Sequence, residues 1–154
     1  MKYVYLCGPI RGLHNFEARD WRNNFKGFFN QQPALVKGLD PMRKHTFEVS
    51  IEADKKSILL GPSNAPISQP KVLVSRDLGD IDRSSLVLVN LNHHTTMGTS
   101  AEIGYAYAKG IPIVFVIPPE HIAQAIHPFV EVMATAIFPD EQDAFHFIED
   151  FLGD

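Results

Sequence analysis

The chain has 154 residues, 14 of them basic and 18 acidic, for a net charge of −4, and it carries a single cysteine. With 45% hydrophobic and 21% charged residues, it is long enough to bury a core as one domain without disulfide or metal staples. Charge of both signs without a block of either excludes a general nucleic-acid-binding surface, while a local anion site stays open.

Cys7 has no partner for an internal disulfide, which points to a reducing, cytoplasmic setting. The opening "MKYVYLCGPIRG" holds an apolar run too short for the core of a secretion signal. No stretch reaches the roughly 18 apolar residues of a membrane span. A soluble intracellular protein is expected.

Lys2 to Cys7, "KYVYLC", is apolar and β-rich and stops at Gly8-Pro9, so it reads as a buried first strand. Asn15 can cap a helix running to about Phe29, with Phe16, Trp21, Phe25, Phe28 and Phe29 on one rough stripe. "PALVKGLDPMR" gives a short second strand broken at Asp40-Pro41. Residues 44–70 are polar, poorly patterned and contain Pro62, Pro66 and Pro70. They read as an insertion over a site within a single domain. A helix follows, with Val74, Leu78 and Ile81 at helical spacing, and then a strand from Leu86 to Leu91. Next come a helix from Thr99 to Lys109 and a strand from Ile111 to Ile117. A helix around His121 to Ala134, a short strand "ATAIF" and a last helix from about Glu141 complete the chain. Wholly apolar strands alternating with helices predict a doubly wound α/β fold, Rossmann-like or flavodoxin-like, with about five parallel strands.

Ligands of such sheets sit at the carboxyl ends of the strands. Three loops there carry polar residues: "GPIRG", "DPMRK" and "NHHTTMGTSAE". Gly8 and Gly12 permit close backbone approach, and Arg11 offers a fork for phosphate. Thr95, Thr96, Thr99, Ser100 and the helix amides could hold an anion, although turns and caps explain the same residues. Glu102 has two readings. Three residues after Thr99 it completes a capping box, and just inside the helix it stands beside whatever the cleft binds. Asp77, Asp80 and Asp82 are either a solvated helix face or a second carboxylate source for glycosidic chemistry. Adjacent His93 and His94 lack the spacing of metal ligands, and no metal or cofactor is expected. Cys7, at the end of a buried strand with no obvious base, reads as structural.

Three stretches, "YLCGPIRG", "RDLGDIDRSSLVLVNL" and "MGTSAEIGYAYAKGIPIVFV", together resemble the nucleoside 2-deoxyribosyltransferase superfamily, including its 2'-deoxynucleoside 5'-monophosphate N-hydrolases. The resemblance runs to about Ile117, apart from residues 44–70. It implies that Glu102 attacks C1' of the sugar and forms a covalent glycosyl–enzyme. It implies further that Asp77 handles the proton and contacts the base, and that Tyr5 positions the nucleophile. It also implies a homodimer or larger assembly in which the segment from Ile126 to Phe138 can complete a neighbour's site.

Two positions separate the branches. Transferases of this family usually carry an aspartate six residues before the nucleophile, and this chain has Thr96, where a hydroxyl can meet a 5'-phosphate. "CGPIRG" is similar to the hydrolases' first loop, with Arg11 on the phosphate, although Pro9 stands where those enzymes often have serine. The loops and the resemblance together give a substrate- or phosphate-binding set of Gly8, Pro9, Ile10, Arg11, Gly12, Thr96, Gly98, Thr99 and Ser100. Base-side candidates are Asp40, Met42 and Asp80, with Phe47, Ile58 and Leu59 of the insertion covering a base or anchoring the insertion. The expected reaction is N-glycosidic cleavage of nucleoside 5'-monophosphates. Base exchange between deoxynucleosides and a non-catalytic nucleotide-binding module are the alternatives. A phosphoribohydrolase "PGGxGTxxE" motif is matched only in its GTxxE part by "TTMGTSAE".

Overall fold

Apolar strand runs and amphipathic helices alternate along the chain, as the computed structural model shows for residues 1–31, 35–44, 47–51, 57–62 and 69–153. In order they are β1 (Lys2–Cys7), α1 (Asn15–Asn30), β2 (Val36–Leu39), β3 (Phe47–Ile51), β4 (Ser57–Pro62), α2 (Pro70–Asp82) and β5 (Leu86–Asn90). Then follow α3 (Met97–Ala108), β6 (Ile113–Val116), α4 (Ile122–Ala125), α5 (Pro128–Met133), β7 (Ala136–Phe138) and α6 (Glu141–Leu152).

Among the described residues five strands form one parallel sheet in the order β2-β1-β5-β6-β7, with Val4 opposite Leu86 and Val87 opposite Ile113. With the β3–β4 hairpin set aside this is the flavodoxin-like order 2-1-3-4-5. Its direction of winding reverses between β1 and β5, which opens a crevice at their carboxyl ends.

Side-chain parity decides what faces each side of that crevice. Val4 and Leu6 point to one face, where Trp21, Phe25 and Phe29 of α1 meet Phe145 and Ile148 of α6. Phe25 and Phe145 pack edge-on with ring centroids 5.4 Å apart. Tyr5 and Cys7 point to the other face, among Ile81 of α2 and Ile103 and Ala106 of α3. The polar atoms of Tyr5 and Cys7 are therefore delivered to the side on which α3 begins.

Three local expectations are corrected. Helix α1 is capped by His14, whose amide donates to Glu17 Oε2 at 2.8 Å, rather than by Asn15. Helix α3 begins at Met97 because the Thr96 hydroxyl accepts from the Thr99 amide at 3.2 Å, so Thr99 is inside the helix. The expected helix from His121 to Ala134 is broken, because Pro128 forces His127 into extended backbone and opens α5 afresh. Within residues 44–70, β3 and β4 form an antiparallel hairpin. Leu59 docks it on the loop after β1 by exchanging 2.7 Å backbone bonds, to the Leu13 carbonyl and from the Gly12 amide, and is buried with Leu13, Ala18 and Met42. The side-chain roles expected of Phe47 and Ile58 lie outside what is described.

Candidate active site

Glu102 lies one turn into α3, over the ends of β1 and β5. Tyr5 donates its hydroxyl to Glu102 Oε1 at 3.0 Å, and the Cys7 thiol donates to Oε2 at 3.2 Å. Two residues apart on one strand, these donors share a face and grip both carboxylate oxygens. The capping box expected between Thr99 and Glu102 is absent. Thr99 instead meets Thr96, Oγ1 to Oγ1, at 3.0 Å, and Glu102 is turned into the sheet.

Burial pushes the Glu102 carboxyl from its usual 4.5 up to about 7, with the charge of Asp77 adding, while donation from Cys7 and Tyr5 and the field of Arg22 pull it back. Burial, reinforced by the charge of Glu102, raises both the Tyr5 hydroxyl and the Cys7 thiol well above their usual values, so both remain protonated donors. Asp77 on α2 is also raised by burial, opposed mainly by Arg76. Arg76 donates to Oδ1 of Asp77 at 2.7 and 3.0 Å and to the Pro41 carbonyl, tying α2 to the turn after β2.

Asp77 and Glu102 line a cleft of about 510 Å³. One wall is Gly8, Ile10 and Arg11 from the loop after β1. The other is Thr96, Met97, Gly98 and Thr99 at the start of α3, with Pro41 and His94 at the rim. A Cβ at Gly8 would lie 3.1 Å from the Asn90 carbonyl oxygen and from the Trp21 ring, so a side chain there would press on both. Gly12 has φ +84°, which keeps Arg11 on a turn facing the cleft. With the Thr99 amide taken by the cap, the amides of Met97 and Gly98 are those left for an anion.

The structure thus brings together Glu102, Asp77, Tyr5, Gly8, Ile10, Arg11, Thr96, Gly98 and Thr99. Pro9 is buried beside the cleft wall. Ser100 faces away, 3.4 Å from Thr95 Oγ1, into a larger cavity of about 850 Å³ formed with α5. That cavity is lined largely by Leu91, Ile103, Phe129, Val130, Met133 and histidines, with no carboxylate among the described residues, whereas the smaller cleft carries two.

The three base-side candidates do not reach the cleft. Asp40 is buried against Lys26 and Arg22 and accepts the Met42 amide at 2.8 Å. Met42 packs with Leu13 and Leu59. Asp80 is held by Arg43 and Arg83. Buried carboxylates need such partners, and these two have found theirs in the scaffold. Among the described residues no group of three or more His, Cys, Asp or Glu is arranged to hold a metal ion, and no helix is long and apolar enough to cross a membrane.

Sequence reasoning missed three residues. Arg22, fully buried, donates to the carbonyls of Gly8 at 3.0 Å and Leu6 at 3.3 Å and to that of Ala18, so it fixes the end of β1. The signal was present: Arg22 falls on the buried stripe, four residues after Ala18 and three before Phe25. Cys7 was read as structural, although its parity with Tyr5 placed it on the Glu102 side. His94, tested only as a metal ligand, stands at the cleft rim beside Gly12.

Fold and site together give a flavodoxin-like α/β protein with two carboxylates in a cleft at its switch point. The profile of the nucleoside 2-deoxyribosyltransferase family matches residues 4–133, and the chain belongs to that family. Its members are glycosyl-transferring or glycosyl-cleaving enzymes. Similar solved structures include a conserved protein from Enterococcus faecalis V583, with TM-score 0.68 and 16% identity over 98% of this chain and 99% of that one. A 2-desoxiribosyltransferase from Leishmania mexicana matches with TM-score 0.64 and 16% identity over 97% and 98% of the two chains. The CMP N-glycosidase BcmB of Clostridium botulinum matches with TM-score 0.56 and 12% identity over 97% and 99%. At these identities the likeness is one of fold. No curated protein sequence matches the chain.

Proposed function

We propose that the protein hydrolyses the base–sugar bond of nucleoside 5'-monophosphates, of the 2'-deoxy series, through a glycosyl–Glu102 intermediate. The observation that carries the reading is the Glu102 carboxylate, held on both oxygens by Tyr5 and Cys7 in a cleft whose walls end in Arg11 and the start of α3. A carboxylate so oriented is prepared for attack on C1'. As the C1'–N bond breaks, its electrons pass to the base, which takes a proton from Asp77. Burial raises the Asp77 carboxyl towards that role, with Arg76 opposing it. Water, deprotonated by Asp77, then attacks C1' and frees Glu102. Substrate and water become free base and sugar 5-phosphate.

Phosphate in the substrate is supported by the Arg11 guanidinium, the free amides of Met97 and Gly98, and Thr96. The Thr96 oxygen accepts the capping amide and shares a hydroxyl contact with Thr99, and an anion at the helix start would compete for the Thr96 proton. An aspartate there would cap equally well but would set a negative charge against the phosphate. A homodimer or larger assembly belongs to the same reading, supported by Phe129 and Val132 on α5, which are 65% and 70% exposed.

Incubation with a panel of nucleosides and 5'-monophosphates, with and without an acceptor base, tests the reaction by chromatography of free base. Release from monophosphates without an acceptor is expected. Turnover of nucleosides that depends on an acceptor would replace hydrolysis by transfer, and no release from any substrate would remove both.

A further inference from the structure

We infer that Cys7 is a positioning residue for Glu102: its thiol holds Oε2 as Tyr5 holds Oε1, and this pair of donors fixes the carboxylate and favours its ionised form. The inference rests on the proposed reaction for its catalytic consequence, although the contact itself can be tested without turnover.

Cys7 is the last residue of β1, fully buried, and its sulfur lies 3.2 Å from Glu102 Oε2. The other acceptor within reach, the Thr99 carbonyl, is 3.9 Å away. A thiol has one proton to give, and the nearer, charged oxygen is the better acceptor. A buried cysteine is ordinarily a small hydrophobe. Here an apolar substitute would leave Oε2 without this donor on the side that faces the buried strand. Oxidation or nucleophilic use of the sulfur is disfavoured by the same surroundings, which hold it as the thiol. Thiols are weak donors, so Cys7 can orient Oε2 while leaving its electrons available to the sugar carbon.

Among the described residues the groups that act on the Glu102 charge are Tyr5 and Cys7 from β1, Asp77 from α2 and Arg22 from α1, and Arg11 lines the same cleft. Of these only Tyr5 and Cys7 donate hydrogen bonds to the carboxylate, so removing one leaves the rest of the field intact.

Because the chain has one cysteine, its S–H infrared band reports this contact alone. In the wild-type protein the band should shift to lower frequency as Glu102 ionises, with a midpoint of about 7, and should not move with pH in Glu102→Gln. In Cys7→Ala the acid limb of kcat/KM should move up by about 0.5–1 pH unit, the weight of one modest hydrogen bond, with KM little changed. Cys7→Ser, which keeps a donor, should return the limb to the wild-type position or below it. A band that ignores pH in the wild-type protein, or a Cys7→Ala limb that coincides with wild type, would overturn the inference. These failures differ from failure of the reaction itself, which would show as no base release from monophosphates while the wild-type band still moved.

Discussion

Glu102 occupies a position that works against its own charge: burial and Asp77 favour the proton, and two hydrogen bonds and a buried arginine favour the carboxylate. A nucleophile must be ionised, so kcat/KM should rise through an acid limb of about 7 rather than in the ordinary carboxylate range. At the other end of the cleft, Arg11 is exposed and lines the wall opposite α3. Arg11→Ala should raise KM for monophosphates by about 10–150-fold, the value of one charge-assisted contact, and leave nucleosides within about twofold. Steady-state kinetics on matched pairs checks this, and equal effects on both would exclude a phosphate contact. At this scale the sequence disclosed Glu102, Asp77, Tyr5 and Arg11 through their motifs. It did not separate them from Asp40 and Asp80, because a carboxylate's role depends on whether a cation such as Lys26 or Arg83 reaches it, and that is decided by packing.

The element that matters most is the first turn of α3. Its cap sits at Thr96, three residues earlier than the local pattern of Thr99 and Glu102 proposes, and this frees Glu102 to face Tyr5 and Cys7. The cap and the proposed phosphate contact meet in the Thr96 side chain and can be separated there. Thr96→Asp should keep or raise the melting temperature, since aspartate is a good N-cap and complements the helix dipole. The same variant should raise KM for monophosphates at least about tenfold through like-charge contact. Loss of stability without a change in KM would assign Thr96 to the cap alone. The buried strands were legible because "KYVYLC" and "LVLVN" are nearly unbroken apolar runs. The hairpin of β3 and β4 was not, since its two strands are held chiefly by each other and lie in a polar, proline-bearing stretch. The break at Pro128 was visible in the sequence, and only the assumption of one long helix concealed it.

Across the whole molecule, strand order converts a list of motifs into a site. The reversal between β1 and β5 puts the loop after β1 opposite the start of α3, and no pattern along the chain encodes that neighbourhood. The arrangement carries a stability cost with a definite sign. The Glu102 carboxyl binds its proton more tightly in the fold than in the unfolded chain, so stability is greatest below its usual value of 4.5. It declines as pH rises to about 7 and is level beyond. Glu102→Gln cannot titrate, and in thermal melts its advantage over wild type should grow across that window towards about 3 kcal/mol. A mere helix cap would give the opposite result, a loss of roughly 0.5–2 kcal/mol. With that variant known to be folded, the most direct measurement is its release of free base from nucleoside 5'-monophosphates above pH 7. The mechanism predicts none, whereas release at the wild-type rate would contradict Glu102 as the nucleophile.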